Sequence, residues 1–180
     1  WDNYHGQSVD LAHKYYDTRE ITLSCFCKAE SKMDFIKKIN DFQRLFDKRG
    51  TNRLVVDVHP VKPLIYEVYS TDAIEVEKEW NDYLMVGTFK LKLKEPEPVK
   101  KVLKHIRVGE STKTCTITMT TTKYVNIYWG DGSVDYDIAG TDLKITHDYS
   151  ENGDYFPVVT GCVDEITSFD TNAIVVWERI

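Results

Sequence analysis

The chain has 180 residues, of which 42% are hydrophobic and 29% are charged, a composition typical of globular proteins with room for one large domain or two small ones. Its formal net charge is −6, which argues against nucleic acid as a main partner, because phosphate backbones bind basic surfaces. No run of about 20 apolar residues occurs, so the sequence predicts no membrane-spanning helix.

The first strand is predicted over residues 19–27, after a polar and aromatic segment. Residues 1–14 have no clear period, which indicates an extended arm or a short first strand. From Ile21 to Cys27, apolar side chains alternate with more polar ones, and Phe26 is the exception. This alternation is the signature of a strand with one buried face.

One helix is predicted, over residues 31–49. Ser31 can cap its first turn, and Gly50 fits the position just after its last turn. The apolar stripe at helical spacing consists of Phe35, Ile36, Ile39, Phe42 and Phe46. This pattern predicts a helix packed across a sheet. The alternative, a helix lying on a membrane, is disfavoured by the mixed charge signs on its polar face.

Four more strands are predicted before residue 95, from turn signals and alternating side chains. They cover residues 52–58, 64–70, 73–79 and 83–93. The last two carry charged rows of opposite sign, namely Glu75, Glu77 and Glu79 against Lys90, Lys92 and Lys94. The lysine row indicates a solvated face or an edge protected from aggregation. The two rows either face solvent within one chain or meet across a contact between copies.

A linker is predicted at Glu95-Pro96-Glu97-Pro98, because two prolines and two charges make a stiff, extended segment. We therefore divide the chain into two domains, residues 1–98 and residues 99–180.

The second half centres on a predicted hairpin. Residues 112–122 form a threonine-rich strand, and a further strand runs from Val125 through Trp129 into the turn Gly130-Asp131-Gly132. Residues 155–160 form a strand that contains Pro157, which indicates an edge position or a bulge. Residues 143–146 and 172–177 are further strand candidates.

Residues 99–180 resemble the polycystic-kidney-disease-like β-sandwich family. The resemblance lies in a WGDG hairpin, an H-x-Y element and a G-x-Y element followed by an apolar strand. It implies a β-sandwich and a structural motif. The motif residues are Trp129, Gly130, Asp131, Gly132, His147, Tyr149, Gly153 and Tyr155.

Residues 10–98 resemble the N-terminal domain of phage distal tail proteins and their prophage relatives. The resemblance lies in the order of elements: Tyr16-Asp17-Thr18-Arg19, a strand, the helix, Gly50 and Arg53-Leu54-Val55-Val56. A strand with Tyr66-Glu67-Val68-Tyr69 and the strand that ends at Glu95-Pro96-Glu97-Pro98 follow. It implies a β-sandwich with one helix, assembled into a ring between the tail tube and the baseplate.

No catalytic motif is present among the five histidines. His147, Asp148 and Ser150 have the residue types of an acyl-transfer triad, but their crowding on one segment argues against that geometry. Cys25 and Cys27 share one face of a strand, and no second closely spaced pair completes a zinc site. We therefore predict no catalytic residues.

Calcium is also disfavoured, although acidic residues recur at alternate positions. The set is Asp131, Ser133, Asp135, Asp137 and Asp142. Tyr136 stands where a calcium loop needs glycine, and its twelfth position is aspartate rather than glutamate. We therefore predict no metal and no cofactor.

Together these patterns predict two mainly β domains, β-sandwiches, with one α-helix in the first. The leading hypothesis is a non-enzymatic structural component of a phage or prophage tail, similar to a distal tail or baseplate adaptor. Its partners would be tail tube and baseplate proteins, with a possible homo-oligomeric ring, in a virion tail assembled in the bacterial cytoplasm. The alternative is a secreted or cell-surface module that binds carbohydrate or protein. Its stacking residues would be Trp1, Tyr4, Trp80 and Trp177.

Overall fold

A computed structural model describes residues 16–59 and 61–180, with only the backbone described for residues 75–79. The predicted arm at residues 1–14, with Trp1 and Tyr4, lies outside this range. Across the described residues the chain is mainly β, with one α-helix and two sheets, as predicted. No helix in that part of the chain has the length and apolar character that a bilayer crossing needs.

The first sheet contains the strands of the N-terminal half. These are β1 (Arg19–Lys28), β2 (Asn52–Val56), β3 (Leu64–Ser70), β4 (Glu75–Asn81) and β5 (Val86–Glu95). Their order is β1-β5-β3-β2, and β4 also pairs with β5. Along β1, half-buried and exposed side chains alternate strictly, so the predicted alternation is confirmed and Phe26 lies on the exposed face.

Helix α1 (Lys32–Gln43) packs across this sheet, as its apolar stripe predicts. The Ser31 side chain accepts a hydrogen bond from the Asp34 backbone N–H at 3.1 Å, which confirms the cap. The predicted end is wrong, because α1 stops at Gln43 and a 3₁₀ turn, Arg44–Phe46, follows. Gly50 has a φ of +84° but lies in the loop beyond that turn.

The helix stripe is narrower than predicted. Phe35 and Ile39 are buried, and Phe42 and Phe46 pack against the same core. Ile36 is exposed, because one residue step turns the helix by about 100° and carries its side chain away from the buried face of Phe35. A cap, a helix and one apolar face are therefore encoded locally, whereas the helix end depends on packing.

The two charged rows belong to neighbouring strands of one chain. β5 pairs with β1 on one side and with β3 and β4 on the other, so it is an inner strand and the lysine row is not on an edge. Glu75 is the backbone partner of Lys90 in the β4–β5 ladder. The pairing of the two charged rows within one chain is therefore favoured over the alternative, in which they meet across a contact between copies.

The second sheet contains the strands of the C-terminal half. These are β6 (Lys100–Arg107), β7 (Thr114–Tyr128), β8 (Val134–Asp148), β9 (Gly153–Tyr155), β10 (Val158–Gly161), β11 (Ile166–Thr171) and β12 (Ile174–Trp177). Their order is β11-β7-β10-β6-β12, with β8 paired to β7 and β9 paired to β6. The two strands predicted on either side of residue 123 form one strand, β7, whose pairing with β8 shifts register between Met119 and Ile127.

Pro157 interrupts the strand predicted at residues 155–160. β9 and β10 pair with β6 in one register, since Tyr155 lies opposite His105 and Val158 lies opposite Val102. The edge position is wrong, because β10 lies between β7 and β6. Proline lacks an N–H for the ladder, and its carbonyl accepts from the Leu103 N–H at 2.8 Å.

The chain passes from the first sheet to the second across residues 96–99. The predicted linker is not exposed, because Glu95, Pro98 and Lys100 are buried. The Glu97 carboxylate accepts hydrogen bonds from the Asn126 amide at 2.8 Å and the Thr160 hydroxyl at 2.6 Å. The segment is thus bonded to the second sheet through Glu97. The division at residues 98 and 99 into two domains stays a prediction.

We expect limited proteolysis to leave residues 95–100 uncut, because a protease needs an exposed, extended site. Mass spectrometry of early trypsin fragments would measure this, because trypsin cleaves after lysine and arginine. The solvent-exposed loop around Lys48 and Arg49 should be cleaved first and serves as the internal control. Early cleavage after Lys100 would show that the two halves separate readily.

Candidate functional site at the junction of the two sheets

The predicted motif residues of the second half converge on one stack of rings. Trp129 and His147 stack with ring centroids 4.8 Å apart, and His147 contacts the edge of Tyr149. Tyr149 stacks on Tyr155 at 3.8 Å, and its hydroxyl donates to the Trp129 carbonyl at 2.8 Å. Gly153 opens the short strand that carries Tyr155. Trp129 and Tyr149 are almost fully buried, so the stack forms part of the core of the second sheet.

The turn between β7 and β8 is held by its own carboxylate. Gly130 and Gly132 have φ values of +97° and +98°, the left-handed region that favours glycine. Asp131 accepts from the Ser133 N–H at 2.9 Å, and its other oxygen lies 2.7 Å from His147 Nε2. Partial burial alone would raise the pKa of Asp131, but these hydrogen bonds outweigh it and hold the pKa below its usual range.

Arg53 connects this turn to the first sheet. Its guanidinium pairs with Glu67, its backbone partner on the neighbouring strand, and Nε donates to that carboxylate at 2.6 Å. Nη1 donates to the Phe156 carbonyl at 2.6 Å, and Nη2 donates to the Tyr128 carbonyl at 3.3 Å. These carbonyls lie where β7 and β10 end their pairing. One side chain of the first sheet therefore satisfies backbone acceptors at the end of a ladder in the second.

The guanidinium also explains the first glycine of the turn. A Cβ on Gly130 would overlap Nη1 of Arg53 and would crowd the backbone of Phe156. Gly132 has nearly the same φ, but a Cβ there would meet no atom within 4 Å. Gly130 is therefore constrained by both its backbone and its neighbour, whereas Gly132 is constrained by its backbone alone.

A second charged contact fixes the junction from the linker side. Lys100 and Glu95 form an ion pair with side chains 0% and 1% exposed, and Arg19 lies 3.3 Å from the second Glu95 oxygen. Lys100 also lies 4.4 Å from the centre of the Tyr66 ring. Burial raises the pKa of Glu95 and lowers the pKa of Lys100, although each partner opposes the shift of the other. Removal of either side chain would leave the charge of the other buried without its partner.

Between these two charged contacts lies an apolar cluster shared by both sheets. Its buried members are Ile65 from the first sheet and Val102, Tyr128, Val158 and Val176 from the second. Trp177 packs at its margin, and its indole N–H donates to the Pro63 carbonyl at 3.1 Å. β3 is consequently buried on both faces: Tyr66 and Val68 contact the helix-side core, and Ile65 contacts the second sheet.

The triad candidates are not brought together. Asp148 accepts from the Thr114 hydroxyl at 2.6 Å and pairs with Lys113 at 3.3 Å, whereas His147 lies against Asp131 and Trp129. The arrangement therefore supplies no Asp148–His147 hydrogen bond, which a triad requires.

Two of the acidic residues that were considered as calcium ligands bond to separate protein groups. Asp135 accepts a hydrogen bond from the Trp129 indole N–H at 2.9 Å. Asp142 accepts one from the Thr120 hydroxyl at 3.3 Å. Among residues 16–59 and 61–180, no three His, Cys, Asp or Glu side chains group closely enough to hold a metal ion. The expectation of no metal and no cofactor stays a prediction.

Sequence reasoning missed the residues that join the sheets. Arg53, Glu67, Glu95 and Lys100 are charged residues on or beside strands, where charge ordinarily marks a solvated face. One signal was available: Ile65 stands on the face of β3 opposite Tyr66 and Val68, and apolar residues on both faces of a strand indicate burial on both.

Comparison with known proteins gives one family match. A family model described as phage tail protein RIFT-related domain matches residues 3–94. No curated protein and no solved structure matches the chain. The matched range ends within β5, just before the junction, so it covers the first sheet and its helix.

We expect Gly130→Ala to destabilise the protein more than Gly132→Ala, by about 1–3 kcal/mol in the free energy of unfolding. Both changes impose the same backbone strain, but only the first displaces the Arg53 guanidinium. Urea denaturation of the two single variants, alone and combined with Arg53→Ala, would measure this. In the Arg53→Ala background the difference should shrink, and a difference that persists at full size would exclude the guanidinium as its cause.

We expect Lys100→Met alone to cost about 3–5 kcal/mol, because it leaves the Glu95 carboxylate buried without its main partner. Glu95→Leu combined with Lys100→Met should restore most of that stability, since apolar side chains of similar volume need no counter-ion. Arg179→Met, which removes the exposed pair with Asp164, is the control and should change stability little. A double variant no more stable than the single one would contradict this account.

Proposed function

The chain belongs to the phage tail protein RIFT-related domain family, and from that membership we propose that it is a non-enzymatic adaptor between the tail tube and the baseplate, similar to a distal tail protein. The family match over residues 3–94 carries this proposal. It supports a structural role in a phage tail, protein partners within that tail and a location in the virion tail. The proposal adds two points to what the family match supports: the position between the tail tube and the baseplate, and assembly into a ring.

The first sheet offers two edges for head-to-tail assembly. Among the described residues, β1 and β2 lie at opposite ends of the strand order, and β4 is a further outer strand that pairs with β5. Unpaired backbone groups on outer strands pair readily with another chain. An edge on each side permits a heterologous contact, and such contacts close into a ring when the rotation between copies allows it. An adaptor that joins a tube of identical subunits needs this kind of symmetry.

The junction supports a mechanical role for the second sheet. An adaptor transmits position from one partner to another, which requires its parts to keep a fixed relation. Arg53, the Glu95–Lys100 pair and the cluster around Ile65 connect the two sheets at three places. Loss of either charged contact would leave a buried charge without its partner, and loss of the apolar cluster would expose apolar side chains to water. The second sheet is thus suited to hold a partner at a defined distance from the first.

The surroundings of His147 support a non-enzymatic reading. Its ring is stacked on Trp129, only 17% of its side chain is exposed, and Nε2 is bonded to Asp131. The charged and aromatic groups of the motif thus bond to one another and to the backbone. Their observed contacts are those of a structural turn.

Electron microscopy and mass photometry of the full chain, with and without a phage tail tube protein, would test the adaptor role. We expect a closed ring that forms at high protein concentration or on addition of the tube protein. Val55→Lys places a charge on the outer strand β2, at a side chain that is 49% exposed, and should weaken this assembly.

The matched control is Ile174→Lys, which places the same charge on β12, an outer strand of the second sheet, at a side chain that is 59% exposed. It should leave assembly intact. A chain that stays monomeric at all concentrations and does not bind the tube protein would refute the adaptor role. Equal loss in both variants would refute the assignment of the contact to the first sheet.

A further inference from the structure

A cleft of about 630 Å³ opens between the two sheets beside Arg53. One wall is the loop before β2, and the other is the turn between β7 and β8 with the start of β8. Its floor contains the Arg53–Glu67 pair and Tyr128. The lining residues used below are Lys48, Arg49, Gly50, Asp131, Ser133 and Tyr136.

The cleft has an excess of positive charge in an acidic protein. On the floor of the cleft, Glu67 neutralises Arg53. On the wall formed by the β7–β8 turn, Asp131 is bonded to His147. Lys48 and Arg49 are exposed on the opposite wall, and within the described part of the chain neither has an ion-pair partner. Two adjacent cations therefore face the cleft, and neither is paired with an anion among the described residues of a chain whose net charge is −6.

The walls leave room for a chain to enter. Gly50, with a φ of +84°, and Gly132 across from it both have no atom within 4 Å of a Cβ position. The Tyr136 ring is 59% exposed and is oriented by an edge contact with Tyr128, at 6.2 Å between ring centres. The cleft thus combines cations, an exposed aromatic face and open space.

We propose that this cleft binds an extended acidic segment of a partner protein. Carboxylates of the segment pair with Lys48 and Arg49, and its aliphatic carbons pack on Tyr136. Glu67 and Asp131 line the same cleft, so the carboxylates of the segment lie on the side of Lys48 and Arg49. A peptide also supplies backbone N–H and C=O groups for the hydroxyls of Ser133 and Tyr136. The inference goes beyond the adaptor role, because the cleft can bind such a segment whether or not the chain forms a ring.

Fluorescence anisotropy with labelled hexaglutamate as the probe, and labelled hexaglutamine as the neutral control, would test the proposal on the full chain at low salt. We expect binding of hexaglutamate alone. Lys48→Glu with Arg49→Glu should weaken it at least about tenfold, because two ion pairs become two repulsions. Lys32→Glu with Lys123→Glu changes the net charge equally at exposed sites outside the cleft and should change affinity by less than about twofold.

Tyr136→Ala provides an independent variant that keeps the charges, and it should weaken binding several-fold through loss of the ring contact. Absence of binding to the wild-type chain would overturn the proposal. Equal loss in the two double variants would show a net-charge effect and would overturn it too. Binding of polygalacturonate with the same dependence on Lys48 and Arg49, but no binding of hexaglutamate, would replace the protein partner with an acidic polysaccharide.

Discussion

The structure depends on one guanidinium that belongs to the first sheet and completes the second. Arg53 has one carboxylate partner, Glu67, within its own sheet, and two carbonyl partners across the junction. Its planar fork of donors suits this task, since a lysine ammonium at the same place lacks the fixed geometry to reach three acceptors. The first glycine of the β7–β8 turn is required because the fork occupies the space beside it. A feature that looks like local turn chemistry is thus partly set by a residue of the other sheet.

β3 plays the corresponding role for apolar packing. In an antiparallel sheet with a helix on one side, the other face ordinarily meets water and carries polar side chains. Here that face carries Ile65 and Glu67, which contact the second sheet and the arginine that enters it. β3 is thus covered on both sides, by the core under α1 and by the second sheet. The linker is bonded to the second sheet through Glu97 and is flanked by the buried Glu95–Lys100 pair. It is therefore part of the packed junction between the two sheets.

Features with a local origin could be predicted from the sequence, and features with a distant origin could not. Alternation in β1, the Ser31 cap and the Gly-Asp-Gly turn follow from residues within a few positions of one another. The Arg53 contact joins residues 103 positions apart, and no periodicity encodes it. The burial of the linker also depends on distant residues: Pro and Glu favour an exposed joint, and the Asn126 amide that bonds Glu97 lies 29 positions away.

The two-sided burial of β3 bears on how the protein is made. The ribosome releases the first sheet before the second exists, and at about 5–20 residues per second roughly 5–20 seconds separate the synthesis of Ile65 from that of Val176. Once β5 has been made, one face of the first sheet presents Ile65 to solvent until strands of the second sheet cover it. The first sheet therefore cannot complete its packing when its own strands are made, and the cluster around Ile65 is complete only after β12 has emerged.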